Sequence, residues 1–360
     1  MSGRDFDVQV VHTPPDSSRG QLMQKYVLAR VMSMEGINLA LYDYDRHNAL
    51  YYFAVSPDED IYLRYGGRDS ESQDTYLDFD SLELALEQGL EKHQRFLAGT
   101  LNARAKPEPS FPEDIPGVSE FILARKRCVE CHHLAHFQSM ELERTGELDK
   151  LRDMYRSPDL KHLGLFLDVP KGLVIGETNG AAAESGLQAG DKVVSIESEP
   201  VLTFGDLQYF LDQVDREATQ VSLGIERGGE TKLIDLQLPE LWWKTDLAHR
   251  YWTVEPLVHF DAEPLTEDEK SEWELPTSGF ASRITNVPMT AMLQSAHELE
   301  EGDIVFSVNG VEVCEISNEL ALHIKLNITS GDTVTLGVIR DGERIELPLT
   351  TTRQEFRKLD

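Results

Sequence analysis

The stretch Gly190-Asp191-Lys192-Val193-Val194-Ser195-Ile196 returns 112 residues later as Gly302-Asp303-Ile304-Val305-Phe306-Ser307-Val308, and the match continues from Val201 to Val313. Beyond an amphipathic stretch the offset becomes 113, so that Leu223-Gly224-Ile225-Glu226-Arg227 aligns with Leu336-Gly337-Val338-Ile339-Arg340. An internal repeat of this size predicts two small domains of one fold. Each copy reads as short strands around one helix. The Gly-Asp pair sets a tight turn, the alternating run Val193 to Ile196 is a strand, and a helix starts near Phe204. Leu207, Phe210, Leu211 and Val214 recur there at helical spacing, as do Leu320, Ile324 and Ile328 in the second copy.

Ahead of the first copy stands His162-Leu163-Gly164-Leu165-Phe166, and within it Ala181-Ala182-Ala183-Glu184-Ser185-Gly186-Leu187-Gln188-Ala189-Gly190-Asp191. The first resembles the Gly-Leu-Gly-Phe type carboxylate-binding loop of bacterial PDZ domains, and the second resembles that family's small-residue Gly-Leu-x-x-Gly-Asp signature. The resemblance implies recognition rather than bond breaking. A peptide C-terminus or extended segment would add a strand beside Leu165, Phe166 and Leu167, its carboxylate meeting the amides of Gly164 to Phe166, with Leu163, Leu207, Phe210 and Leu211 around its side chains. The alternative is that these apolar residues simply form the core. In the second copy the candidate loop Ser278-Gly279-Phe280-Ala281 lacks the full signature and Met289 to Leu299 lacks the Gly-Leu pair, so that copy is expected to serve mainly as a structural partner. The chain has no Gly-x-Ser-x-Gly turn and no His-Glu-x-x-His helix, which favours a binding protein over an enzyme.

A second feature is Cys128-Val129-Glu130-Cys131-His132. Two cysteines two residues apart, followed by histidine, form the c-type attachment signature: thioethers from Cys128 and Cys131, and His132 as axial iron ligand of haem c. Met140, Met154, His133, His136 and His162 are candidates for the sixth position. Zinc on Cys128, Cys131, His132 and His136, or bare thiol chemistry with no cofactor, are the alternatives. Cys314, in the strand-like Val311 to Ile316, reads as an inert thiol. Haem attachment would require maturation outside the cytoplasm, yet residues 1 to 30 hold no signal peptide. The expectation is a periplasmic or envelope-associated protein whose start is missing, or else a cytoplasmic one without haem.

The N-terminal region reads as a strand over Tyr26 to Val31, a hairpin of Asn48 to Val55 with Ile61 to Tyr65 around Pro57-Asp58-Glu59-Asp60, and an amphipathic helix over Ser81 to Phe96. With Tyr42-Asp43-Tyr44-Asp45 and Arg64-Tyr65-Gly66-Gly67-Arg68-Asp69, this order is similar to a bacterial family that joins a divergent thioredoxin-like domain to PDZ domains, the thioredoxin-like/PDZ (seleno)proteins. The likeness implies a redox-silent domain here, because Val11 to Lys25 has no cysteine.

The fold class expected is therefore α+β and multidomain: a truncated thioredoxin-like α/β domain followed by two PDZ-like β-barrel or sandwich domains. The boundaries are a thioredoxin-like part at 1–104, a linker and helical Cys-x-x-Cys-His segment at 105–158, PDZ-like domains at 159–239 and 277–352, and between them a connector at 240–276. That connector holds Trp242, Trp243, Trp252 and Trp273, and so is expected to pack rather than flex. With 64 acidic against 34 basic side chains the net charge is −30, which argues against a nucleic-acid partner. No segment approaches a membrane span. The combined expectation is a redox-linked envelope adaptor that binds peptides and carries haem. The alternative is a non-enzymatic PDZ scaffold with zinc or a vestigial thiol site.

Overall fold

In the computed structural model, which describes residues 3–48, 50–101, 104–245, 254–288 and 298–353, two short helices lead the chain, α1 (Gly3–Val11) and α2 (Ser18–Met23). The two alternating runs that follow pair as an antiparallel hairpin, β1 (Tyr51–Val55) with β2 (Ile61–Gly66). Its turn is closed by the Ser56 hydroxyl, which accepts the amides of Asp58 and Asp60. Helix α3 (Phe79–Leu97) starts where the Asp78 carboxylate accepts the amides of Asp80 and Ser81, a cap worth about 1 kcal/mol. It buries Leu82 and Ala85 against Phe6, Val10, Leu63 and Tyr65. The strand expected over Tyr26 to Val31 is not formed. Val27 is fully exposed and Leu28 and Val31 are exposed, because β-favouring side chains make a strand only where a neighbouring edge accepts it. The sheet of this region is the two-stranded hairpin, and nothing among the described residues shows a thioredoxin-like domain.

Three helices follow, α4 (Pro116–Phe121), α5 (Cys131–Thr145) and α6 (Lys150–Met154). The chain divides into two units, Met1–Ala135 with Tyr155–Ala248 and His136–Met154 with His249–Asp360.

In the first unit the matched copy forms β3 (Leu165–Leu167), β4 (Ile175–Thr178), α7 (Gly180–Glu184), β5 (Lys192–Ile196), β6 (Glu199–Pro200), α8 (Phe204–Asp212), β7 (Gln220–Arg227) and β8 (Glu230–Gln237). Strands β3 and β4 pair with each other, and the rest run in the order β6-β5-β7-β8. The Gly-Asp turn is a structural tie. Gly190 has φ 90°, and buried Asp191 accepts both the Gln188 amide and a two-pronged bond from Arg227 at 2.6 and 2.7 Å. Trp242 and Trp243 pack on this unit. Both are buried, and the Trp243 indole donates to the Arg216 carbonyl at 3.0 Å.

The second unit contains β9 (Asp261–Pro264), α9 (Glu267–Glu272), β10 (Ser282–Asn286), β11 (Ile304–Val308), α10 (Leu320–Asn327), β12 (Thr333–Arg340) and β13 (Glu343–Thr350), in one sheet ordered β13-β12-β11-β10-β9. The local ties repeat those of the first unit. Asp303 takes a two-pronged bond from Arg340 at 2.8 and 2.7 Å, and the amide of Ile284 donates to Asp303 as that of Ile175 donates to Asp191. This alignment puts β9 in the place of β3, so the edge strand lies within the stretch expected to be a connector. Ser278 to Ala281 leads into β10 instead of preceding the edge strand, and Phe280 is wholly buried. Trp252 and most of Met289 to Leu299 lie outside the described residues.

Candidate functional site

Among the described residues strand β3 has a partner on one side only, β4, and α8 belongs to the same copy. A 3-10 turn, Leu160–Leu163, leads into β3 and ends on Gly164 at φ 75°. A Cβ at Gly164 would stand 2.0 Å from the Asn179 carbonyl, so the position admits glycine alone. Its amide donates to Lys161 and its carbonyl accepts from Asn179, so that loop amide is already engaged by the domain itself. Of the other expected residues, Leu163, Leu165, Leu207 and Leu211 are each 1% exposed and sit in the core, whereas Phe166, Leu167 and Phe210 are partly exposed. The Arg104 guanidinium lies 4.6 Å from the Phe210 ring.

Two residues of α8 that meet the segment after the hairpin are Phe204 and Gln208, one helical turn apart and neither expected from the sequence. Both are buried, by chain from the N-terminal region of the same unit. Gln208 reads the Arg68 backbone with both ends of its amide. Its Oε1 accepts the Arg68 N–H at 3.2 Å, and its Nε2 donates to the Arg68 carbonyl at 2.8 Å. The Tyr76 ring stacks on Phe204. Ser70 donates its amide to Asp159 at 2.8 Å, and Asp159 also caps the 3-10 turn by accepting from Lys161. A cavity of about 60 Å³ lies at the start of α8, walled by Tyr76, Leu84, Val169, Leu173 and Phe204.

On its adjacent face α8 holds the hairpin. Asp206 accepts the amide of Arg64 at 2.9 Å, and the Arg64 guanidinium lies 3.7 Å from the Tyr209 ring. Burial raises the Asp206 carboxyl above its ordinary value, against the opposing pull of Arg64. At the end of the helix, Arg156 bridges Asp212 and Asp43 with bonds of 2.9 to 3.0 Å. Burial alone would lift the Asp43 carboxyl, but Arg156 outweighs it and holds that group low.

The Cys128 to His132 segment is arranged differently from a haem seat. Cys128 is exposed, Val129 is 1% exposed, and Cys131 opens α5 with its thiol 3.1 Å from the Tyr44 hydroxyl. His132 Nε2, the atom an iron would take, stands 3.3 Å from the Glu130 carboxylate. A haem iron would need that nitrogen, and in this arrangement it is not free of Glu130. Nor does the arrangement converge on the expected zinc ligands. The donors within 4.8 Å of one another are Glu130, His132 and His133, while His136 is buried in the second unit 3.8 Å from Glu255. Burial lowers the His133 imidazole below its ordinary value, with His132 adding to the effect.

A family model described as PDZ domain matches residues 176–227. The chain therefore contains a PDZ domain, whose matched stretch begins in β4 and ends with β7. Two solved structures of the HtrA-type protease AlgW with a decapeptide, one of them a serine-to-alanine variant, are similar over part of the chain. The variant has 11% identity and a TM-score of 0.23 over 37% of this chain and 41% of that protein. The other has 13% identity and a TM-score of 0.23 over 38% and 50%. The chain thus spans half or less of those proteins. No curated protein matches it.

Proposed function

We propose that the PDZ domain is a peptide-binding module whose groove lies between β3 and α8, and that the chain is a non-enzymatic adaptor. One observation carries the reading: among the described residues β3 is an edge strand with β4 on one side only, so its other edge offers backbone groups to an extended peptide. The glycine loop at 160–164 stands at the start of that edge, and Phe204 and Gln208 supply a helical face able to read a ligand's side chains and backbone. The repeated Asp–Arg tie and the edge position of β9 favour the same role for the second unit, making the pair tandem PDZ modules. No step of this function passes through a haem.

The test is fluorescence polarisation of the full chain against a library of C-terminal and internal peptides. Binding that weakens tenfold or more when Phe204→Ala or Gln208→Ala is added to a chain carrying Ser70→Pro, which removes the amide held by Asp159 and so bares this helix face, supports the groove when folding is intact. Binding indifferent to both substitutions refutes it. Leu207→Asp is unsuitable, because a charge on a side chain 1% exposed would unfold the domain.

A further inference from the structure

We infer that residues Gly66 to Ser70 are a resident ligand of the PDZ groove, held against α8 in cis, and that the groove's external partners are extended peptides of the same chemistry. The inference rests on the groove reading above.

The segment is held by side chains of α8 and of the turn before β3, and among the described residues it forms no ladder with β3 itself. A side-chain amide that both accepts from and donates to one residue's backbone replaces two ladder bonds of a β-strand, and Gln208 does this to Arg68. Side-chain space is restricted at the residue before it. A Cβ at Gly67 would stand 2.5 Å from two ring carbons of Phe204 and 2.9 Å from Gln208 Oε1, and Gly67 has φ 123°. The groove therefore selects glycine over Phe204. One residue beyond Arg68, the Asp69 carboxylate is buried and 2.8 Å from Lys161 Nζ, in the turn that leads to Gly164. Ser70 is then fixed by its amide to Asp159. These contacts specify a ligand: a chain with no side chain over Phe204, any residue read through its backbone by Gln208, and then a carboxylate within reach of Lys161.

Two substitutions loosen the resident segment without altering the α8 residues that read it. Gly67→Ala drives a methyl into Phe204, and Ser70→Pro removes the amide given to Asp159. The probe is a fluorescein-labelled synthetic peptide of residues 64–73, titrated into the full chain. If the resident segment competes, the apparent Kd falls about tenfold or more in either variant, because the open fraction rises. Adding Gln208→Ala to each variant then removes the gain. Hydrogen exchange gives an independent readout, since saturating peptide should speed exchange of the Arg68 and Ser70 amides in the wild-type chain. Folded variants that bind the probe no better than wild type, with exchange unchanged at saturation, overturn the inference. In that case, library peptides that still bind in a Gln208-dependent way leave the groove reading standing. Failure of every peptide with every variant overturns both.

Discussion

Replacing Gly224 by alanine drives a methyl group into the Ser195 hydroxyl. The two residues face each other across β5 and β7, and an ideal Cβ on Gly224 would stand 2.1 Å from Ser195 Oγ but 3.4 Å from Ser195 Cβ. Gly224 is not among the residues of positive φ, so the backbone accepts an L side chain and the clash is the whole penalty. Overpacking of this kind costs about 1 to 3 kcal/mol, partly offset by the roughly 0.5 to 1 kcal/mol gained on removing a strand glycine. Gly224→Ala should therefore lose about 1 to 2 kcal/mol. Ser195→Ala deletes the clashing atom and leaves an ordinary carbon contact, so the double variant should match or exceed the wild type, with a coupling of about 2 kcal/mol. Urea denaturation followed by fluorescence reads this directly, because Trp242 and Trp243 are buried in the same unit. The equivalent pair predicts a different result. A Cβ on Gly337 would stand 2.2 Å from Ser307 Oγ and also 2.8 Å from the Phe306 ring, so Ser307→Ala should rescue Gly337→Ala only in part. Additive effects at Gly224 and Ser195 would refute the packing argument.

Leu207→Ala should cost about 2 to 5 kcal/mol by leaving a cavity under α8, measured as a lower urea midpoint. Burial pushes the Lys325 ammonium down to about 8, with Lys150 helping and Glu255 opposing. Between that pH and its ordinary value the unfolded chain holds a proton the folded chain has released, so this group makes stability rise with pH from about 8 to 10, by at most about 3 kcal/mol. Lys325→Met should flatten that rise, and an unchanged slope in the variant would contradict the assignment. Protein exported through a haem c maturation pathway should remain colourless and of apo mass; a Soret band with one covalent haem in the intact mass would overturn the geometric argument at His132. Brief alkylation should label Cys128 before Cys131, read by peptide mass, since Cys128 is exposed and the Cys131 thiol is engaged by Tyr44.

The parts of the fold that were legible are those whose cause is local. The Gly-Asp turns, the strands after them and the apolar spacing of α8 all follow from residues close in sequence, and so does the hairpin at Pro57 to Asp60. Tyr26 to Val31 was misread because strand propensity says nothing about whether an edge is available. The loop of the second copy was misplaced for a countable reason. Between β3 and β4 the chain makes one 3-10 turn, Val169–Lys171, whereas between β9 and β10 it inserts α9, and the constant offset of the repeat breaks there. Reading backward from Gly302 at that offset puts the equivalent of residues 162–166 at 274–278, short of α9, whereas β9 lies on the far side of the insertion. In the same way Cys-x-x-Cys-His is a spacing, and the spacing cannot report that Glu130 faces His132 or that Tyr44 faces the Cys131 thiol.

The groove contacts were illegible for a different reason, and it bears on how the domain would work. Arg68 and Gln208 are 140 residues apart in sequence, and neither Gly66-Gly67 nor the polar glutamine in an apolar helix signals the other. Yet because the two belong to one folded chain, the resident segment competes as an intramolecular ligand, here taken at an effective concentration of about millimolar. With an intrinsic Kd of about micromolar for the resident segment itself, any external peptide would then be weakened up to about a thousandfold in the intact chain. A tenfold gain on loosening the segment is thus the low end of what the geometry allows. A partner that binds the intact chain tightly must either carry the glycine and carboxylate that match the groove, or hold on to a second surface and turn its own binding into a tethered event.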